Sequence, residues 1–497
     1  MSFVAPQFLL FLAVSLLGYF LAPQRWRWPV LLAASYVFYW FSGGVFAVAV
    51  ISFTSLSTYL SGLWAHRLRT REAVRALRRL PLAVCVAANF GLLAFFKFSD
   101  RLAPSLGLLL IPGISFYTFQ AVGYLVDIYR GKLAPERNPL KFALFLAFFP
   151  QLIQGPISRH SEIAEALYAG SGWDWERARL GATKLIWGYF LKILIADIAA
   201  VPVEAVFSGY ASHGGAVIAF GAVLYRLQIY ADFAGGIYIA QGIADFVGVS
   251  LPDNFRQPFF ARTLTDYWRR WHITLGAWLK DYLFYPIALS KPLGKLGRLA
   301  RRVFGPRLGK ILPASVATFA VYLVMGVWHG SKWKSVAFGL FNGGIITLSL
   351  CIEPAIAALR ARTGIDGQKP GFWRVFAAVR TFIIVMALSY LARAASFMTA
   401  VAMYARTAAH FRPWELWDGS LAALGLGAAD YALLIFCTAL LFARDALAER
   451  SERPWERLCA AKPAAQFALL FVLLGLITLF GIYRTGYVAA EFIYAQY

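Results

Sequence analysis

"LPASVATFAVYLVMGVWHG", residues 312–330, decides how the chain is read. From Leu312 to Trp328 it carries no charged side chain, and its length approaches the ~20 residues that a helix needs to cross a hydrocarbon core of ~30 Å. It ends on a single imidazole, His329, set between Trp328 and Gly330. Runs of the same kind recur along all 497 residues, of which 60% are apolar and 15% charged, with a mean hydropathy of +0.61. A soluble chain of this length would need far more charge. The runs are built of Leu, Ala, Phe and Val without period-two alternation, so helices are favoured over a barrel. The expected fold class is all-α: a polytopic membrane protein.

Charge is clumped between these runs. The chain carries a net +23, with six arginines against one glutamate in "HRLRTREAVRALRR" (66–79) and seven Lys/Arg with no acid in "SKPLGKLGRLARRVFGPRLGK" (290–310). Beside hydrophobic spans such clusters read as cytoplasmic loops obeying the positive-inside rule and touching anionic lipid, not as a nucleic-acid surface. The run Phe3–Ala22 has no basic segment before it and "RWRW" (25–28) after it, which predicts an uncleaved anchor with the N-terminus outside. Cys85, Cys351, Cys437 and Cys459 have neither metal nor disulfide spacing.

Counting forward, 29–42 and 45–64 form a hairpin turning at "SGG" (42–44), and 81–98 and 105–128 cross in turn. "FALFLAFFPQLIQGPI" (142–157) is interrupted by Pro150, Gly155 and Pro156 and reads as re-entrant or buried. Residues 180–200 nearly span. Residues 215–248 hold two segments around "YADFAGGIY", and 263–289 is amphipathic and aromatic. Spans follow at 312–329, 335–352, 374–392, 421–443 and 465–483. The total is roughly a dozen transmembrane or re-entrant segments in one membrane-embedded domain, 1–497, without internal repeats. The charged stretch 444–462 reads as internal, which puts the C-terminus outside.

Motifs of soluble enzymes are missing: no GxSxG, no Walker A loop, no HExxH, no CxxC. Two of six histidines stand in apolar, Trp-framed sequence. His272 lies in "DYWRRWHITLGAWLKDY" (266–282), read as a helix begun by a capping box at Thr263–Asp266, and His329 closes the opening stretch. Each could be a buried side chain satisfied by a carbonyl. An ionisable group inside a membrane is nonetheless a functional hypothesis by default, and imidazole is suited to moving protons near neutral pH. With no third ligand nearby, a general base fits better than a metal ligand. Asp232 in "QIYADFAGGIYIAQG" (228–242) orients a histidine or joins a salt bridge, and both readings stand. Gln151 and Gln154 flank a helix break of the kind that lines a cavity.

Taken together, these segments resemble the membrane-bound O-acyltransferase superfamily, in particular its bacterial envelope branch, the alginate O-acetyltransferase membrane subunits and teichoic acid D-alanyl transfer proteins. The resemblance rests on "PGISFYTFQAVGYLVDIYRG" (112–131), "FFPQLIQGPISR" (148–159), "QIYADFAGG" (228–236), "LPDNFRQPFFARTLTDYWRRWHITLGAWLKDYLFYPI" (251–287) and "MGVWHG" (325–330). It covers most of the chain and is strongest over 112–345, the core that carries the motifs. It implies a ring of helices around a thinned centre with a tunnel, His329 as the catalytic residue, and His272 in the same tunnel. Trp328, Trp271, Asp232, Gln151, Gln154 and Asp281 fall among the tunnel-lining positions. No metal and no bound cofactor are implied. The donor would be a cytoplasmic thioester, acetyl-CoA or the phosphopantetheine thioester of an acyl carrier protein, and the acceptor an envelope polymer. A separate extracytoplasmic transferase of the SGNH type is the expected partner.

The tail after the last span (465–497) ends in "EFIYAQY" (491–497), which resembles the acyl-transfer motif F-x-Y-x-x-F of this branch, with Tyr497 in place of the last Phe. Tyr494 is the candidate acyl acceptor; an aromatic interface anchor is the plainer reading. Where alginate relatives continue "DYLYIPLGG", this chain reads "DYLFYPIALSKPLGKLGRLARR", which puts alginate and the donor in question. The expectation is acetyl transfer to an envelope polysaccharide or glycan. D-alanyl transfer to a teichoic-type polymer is the nearest alternative, and a proton-coupled transporter the alternative of another class.

Overall fold

The 47-residue helix Gln24–Thr70 would measure about 70 Å if straight, twice the thickness of a hydrocarbon core. In the computed structural model it leaves helical geometry at Gly44 (φ 68°, ψ −166°), within the "SGG" expected to turn. Glycine alone reaches that conformation without a steric penalty. The structure describes residues 1–72, 74–98, 111–330, 332–364, 371–450, 455, 463–482 and 491–493, without the side chains of Arg75 and Ile482. Among these, eight helices are long and apolar enough to cross a membrane, and all regular structure is helical apart from one isolated bridge. The chain is a multi-pass, all-α membrane protein.

Its contacts divide it into two units. The first comprises Met1–Asp197, Tyr230–Asp253 and Arg453–Tyr497, the second Ile198–Ile229 and Asn254–Glu452. In the first unit, Gln24–Thr70 packs on Arg75–Lys97, Ile114–Arg130 and Pro139–Ala147. The run 142–157 breaks as its prolines require: Pro139–Ala147 ends at Phe148 (ψ 106°) and a single turn, Phe149–Leu152, follows. Residues 105–110 of the expected span 105–128 lie outside the described residues, and 114–128 fall within the helix Ile114–Arg130.

Three expectations change. Residues 215–248 form one helix, Gly215–Phe246, not two. Gly235 serves a close crossing instead of a turn: a Cβ on Gly188 would lie 2.6 Å from the Gly235 carbonyl oxygen, and one on Gly181 2.7 Å from that of Gly242. In the second unit the basic stretch 290–310 is helical, part of Lys291–His329, and bends at Gly305 (φ 87°, ψ 173°) instead of forming a loop. Its arginines stay exposed, which a helix on a lipid headgroup surface allows as well as a loop does. The third change concerns 263–289 and falls on His272.

Candidate functional site

The segment 263–289 begins as expected. Thr263 caps Leu264–Arg270, its Oγ accepting the Asp266 N–H at 3.0 Å. It does not remain one helix. His272 adopts φ 50°, ψ 52°, a left-handed conformation that costs a non-glycine residue ~1–2 kcal/mol, and a new helix, Ile273–Leu279, starts after it. Lys280–Phe284 then follows as a π-helical stretch, bearing Asp281. Such strain persists only where surroundings over-determine it.

Asn254 supplies that determination. Its carbonyl accepts the Ile273 N–H at 3.0 Å, and its side-chain Oδ1 accepts from the Thr274 N–H at 3.0 Å and the Thr274 hydroxyl at 2.9 Å. The same Oδ1 lies 3.3 Å from His272 Nδ1. An amide oxygen can only accept, so the contact assigns the proton to Nδ1 and the lone pair to Nε2. His272 is 3% exposed and lies outside the eight spanning helices. Burial first, and then the neighbouring His329, holds its imidazole well below the usual histidine range, so it is neutral at physiological pH.

His329 joins His272 through Trp328. The Trp328 ring centroid is 6.1 Å from that of His272 and 4.7 Å from that of His329, and Phe338 meets His329 edge-on at 6.0 Å. His329 is the last residue of its helix and half-buried, whereas Trp328 is buried. The "MG" before it is a packing requirement: a Cβ on Gly326 would lie 2.5 Å from the Ser335 carbonyl oxygen and 3.2 Å from Gly339 Cα, so the helices ending at His329 and spanning Trp333–Thr363 touch backbone to backbone. Trp271 is buried, stacks on Tyr267 at 5.6 Å, and lies under the guanidinium of Arg226 at 5.8 Å. Arg226, 4% exposed, donates to Ser389 Oγ, Tyr267 Oη and the Val385 carbonyl. His272 is therefore buried and fixed in tautomer and orientation, and the half-buried His329 shares an aromatic wall with it through Trp328. Such a constellation can take and return a proton while keeping water from a reactive acyl group.

The first unit holds the remaining expected positions. Gln151 Nε2 donates to the Phe145 carbonyl at 2.9 Å, and the Gln154 side chain lies against Gly236. The Oε1 atoms of both glutamines are buried without a hydrogen-bond partner among the described residues. Asp232 is 1% exposed and takes the salt-bridge role, with Lys192 Nζ at 2.8 Å from Oδ1. Lys192 also pairs with Asp197 at 2.8 Å. Tyr494 lies outside the described residues. Sequence reading missed Asn254, Lys192, Asp197 and Arg226. Lys192 was visible as a lone cation in "FLKILIAD" (190–197), whereas Asn254 stood in a quoted motif without a sign of its three partners.

Comparison with known proteins identifies the family. Residues 133–391 match the profile of the membrane-bound O-acyltransferase family. The probable alginate O-acetylase AlgI of Pseudomonas syringae pv. tomato is 30% identical over 477 residues, covering 92% of this chain and 84% of that protein. The peptidoglycan O-acetyltransferase of Helicobacter pylori is 30% identical over 375 residues, 67% of each chain. The teichoic acid D-alanyltransferase of Bacillus subtilis is 26% identical over 341 residues, 64% of this chain and 72% of that protein. The chain belongs to the membrane-bound O-acyltransferase family, MBOAT, and is a multi-pass membrane O-acyltransferase.

Proposed function

We propose that this enzyme moves an acetyl group from a cytoplasmic thioester to hydroxyl groups of an extracytoplasmic envelope polysaccharide or glycan. The observation that carries the reading is the His272–Trp328–His329 cluster, with His272 locked by Asn254. Relatives named as alginate and peptidoglycan O-acetyltransferases support acetyl as the group and an envelope polymer as the acceptor. His329 acts as the base: its imidazole takes the proton of the attacking hydroxyl as oxygen bonds to the thioester carbonyl carbon. The C–S bond then breaks, and the thiolate leaves with the proton returned by the imidazolium. His272 supports the same proton movement from its buried seat. A neutral imidazole occupies such a site at lower cost than a carboxylate.

The donor is acetyl-CoA or the phosphopantetheine thioester of an acyl carrier protein, and both are anionic. The basic segments 66–79 and 290–310 would draw either one to the inner face. That orientation leaves both termini outside, where Tyr494 takes the acyl group as an ester and passes it to an SGNH-type transferase. The motif-bearing core, 112–345, and the last span with its tail, 465–497, belong in this reading to a single membrane domain. D-alanyl transfer is the second reading, favoured by the teichoic acid relative. Enzyme membership removes the transporter alternative.

The test is to purify envelope polymers from cells carrying wild type or His329→Ala, treat them with mild base and identify the released acids by NMR. Acetate lost only in the mutant supports the proposal. D-alanine lost instead moves the enzyme to the second reading, and unchanged polymers with a folded mutant overturn both.

A further inference from the structure

Lys192 is an unusual residue to find 1% exposed in an apolar run, on a seven-residue π-helical stretch, Phe190–Ala196. Such interruptions of the α-helix are frequent at functional sites. Its ammonium is held between two carboxylates, Asp197 and Asp232, each at 2.8 Å. A buried carboxylate is costly unless donors reach both of its oxygens, and on Asp232 the ammonium serves only Oδ1. The further donor is the C-terminal tail. The Ile493 N–H donates to Asp232 Oδ2 at 2.9 Å, while Oδ1 of the same carboxylate takes the Lys192 ammonium. Lys192 Nζ is 3.5 Å from the Glu491 carbonyl oxygen and 4.8 Å from the centroid of the Phe492 ring. Phe492 is 3% exposed and packs edge-on to Phe3 at 6.3 Å, in a cluster with Phe8, Phe38, Phe149 and Ile239.

From this geometry we propose that Lys192 and Asp232, braced by Asp197, form a socket for the C-terminal segment. The socket binds residues 491 and 493 by their main chain and residue 492 by its aromatic ring. It thereby fixes the point from which Tyr494, the next residue, extends. Two of the three contacts are to backbone atoms, so the site accepts any short tail whose middle residue is a buried aromatic. A hydrophobic anchor alone would need only the pocket for Phe492. The buried carboxylate with one oxygen given to the ammonium and the other to a tail amide is a peptide-binding device. Lys192 and Asp232 are positioning residues in this account, and their purpose in acyl transfer rests on the relay through Tyr494 proposed above.

Hydrogen–deuterium exchange of the full-length protein in lipid nanodiscs tests the socket. The Ile493 amide should exchange at least tenfold more slowly than in the free heptapeptide EFIYAQY. Phe492→Ala, which changes only the tail, should return it to within threefold of the free rate. Asp232→Ala should do the same, and Asp232→Asn, which keeps an oxygen acceptor, should restore part of the protection. Free-peptide exchange in the wild type, or unchanged protection in folded Phe492→Ala, overturns the socket. Transfer assays separate it from the relay. Protection together with full activity of Tyr494→Phe keeps the socket and removes the relay; rapid wild-type exchange with an inactive Tyr494→Phe does the reverse.

Discussion

Replacing Asn254 by alanine tests how the site is held. The single Oδ1 atom accepts from Thr274 N–H, Thr274 Oγ–H and His272 Nδ1–H at 3.0, 2.9 and 3.3 Å. At ~1 kcal/mol for each neutral bond, this oxygen supplies about 3 kcal/mol. That exceeds the ~1–2 kcal/mol that the left-handed conformation of His272 costs. In Asn254→Ala the side-chain clamp is gone, the ring orientation loses its support, and the backbone turn keeps only the bond from Ile273 N–H to the residue 254 carbonyl. Loss of a partner that orients a metal-ligating imidazole costs about 10–100-fold, and Asn254 plays the same orienting part for His272. Acyl transfer in membranes should therefore fall about 10–100-fold, with the protein still accumulating and eluting as a folded species in detergent. Thr274→Val removes only one of the three bonds and should cost less than about tenfold. Wild-type transfer by a folded Asn254→Ala protein would refute the argument that this residue sets the geometry of His272.

Other outcomes follow from packing and charge. Gly326→Ala places a methyl 2.5 Å from the Ser335 carbonyl and should lower both thermal stability and transfer, whereas Gly344→Ala, with nothing within 4 Å, should leave both unchanged; a melting curve of each checks this. Lys192→Met removes the cation that lies 2.8 Å from both Asp197 and Asp232, a loss of about 3–5 kcal/mol, and should reduce the folded protein recovered from membranes severalfold. His160, on the short helix His160–Ala169 and packed against Tyr124 and Phe145, is pushed down by burial to about 4. Its folded value lies below the ordinary histidine value of about 6.5, so the unfolded chain binds the extra proton, and stability falls as pH drops from about 6.5 to 4. The loss is about 3 kcal/mol, and His160→Phe should flatten melting temperature against pH over that window.

The membrane helices were legible because hydrophobic length is a one-dimensional property; 374–392 and 465–483 moved by one or two residues, whereas 335–352 extends to Thr363 and 421–443 shifts to Ala428–Glu449. What eluded sequence was set by contacts between distant residues. The pair Gly235–Gly236 reads as a turn until Gly188 is seen pressed against it, and "RRWHIT" (269–274) reads as helix until Asn254 captures Thr274 and reverses φ at His272. The two histidines were singled out from their Trp-framed apolar settings, but the residue that orients His272 lies 18 residues upstream of it. Asp232 announced itself as a buried carboxylate, yet its partners, Lys192 and the Ile493 amide, are 40 and 261 residues away. No local pattern could have assigned them.

The most direct test of the central claim uses purified protein in sealed vesicles, with labelled acyl thioester supplied only at the face assigned to the cytoplasm in the proposal. Esterified label should appear at the opposite face with wild type and be absent with a folded His329→Ala variant. Equal ester formation by that variant would contradict the assignment of acyl transfer to the His272–Trp328–His329 cluster.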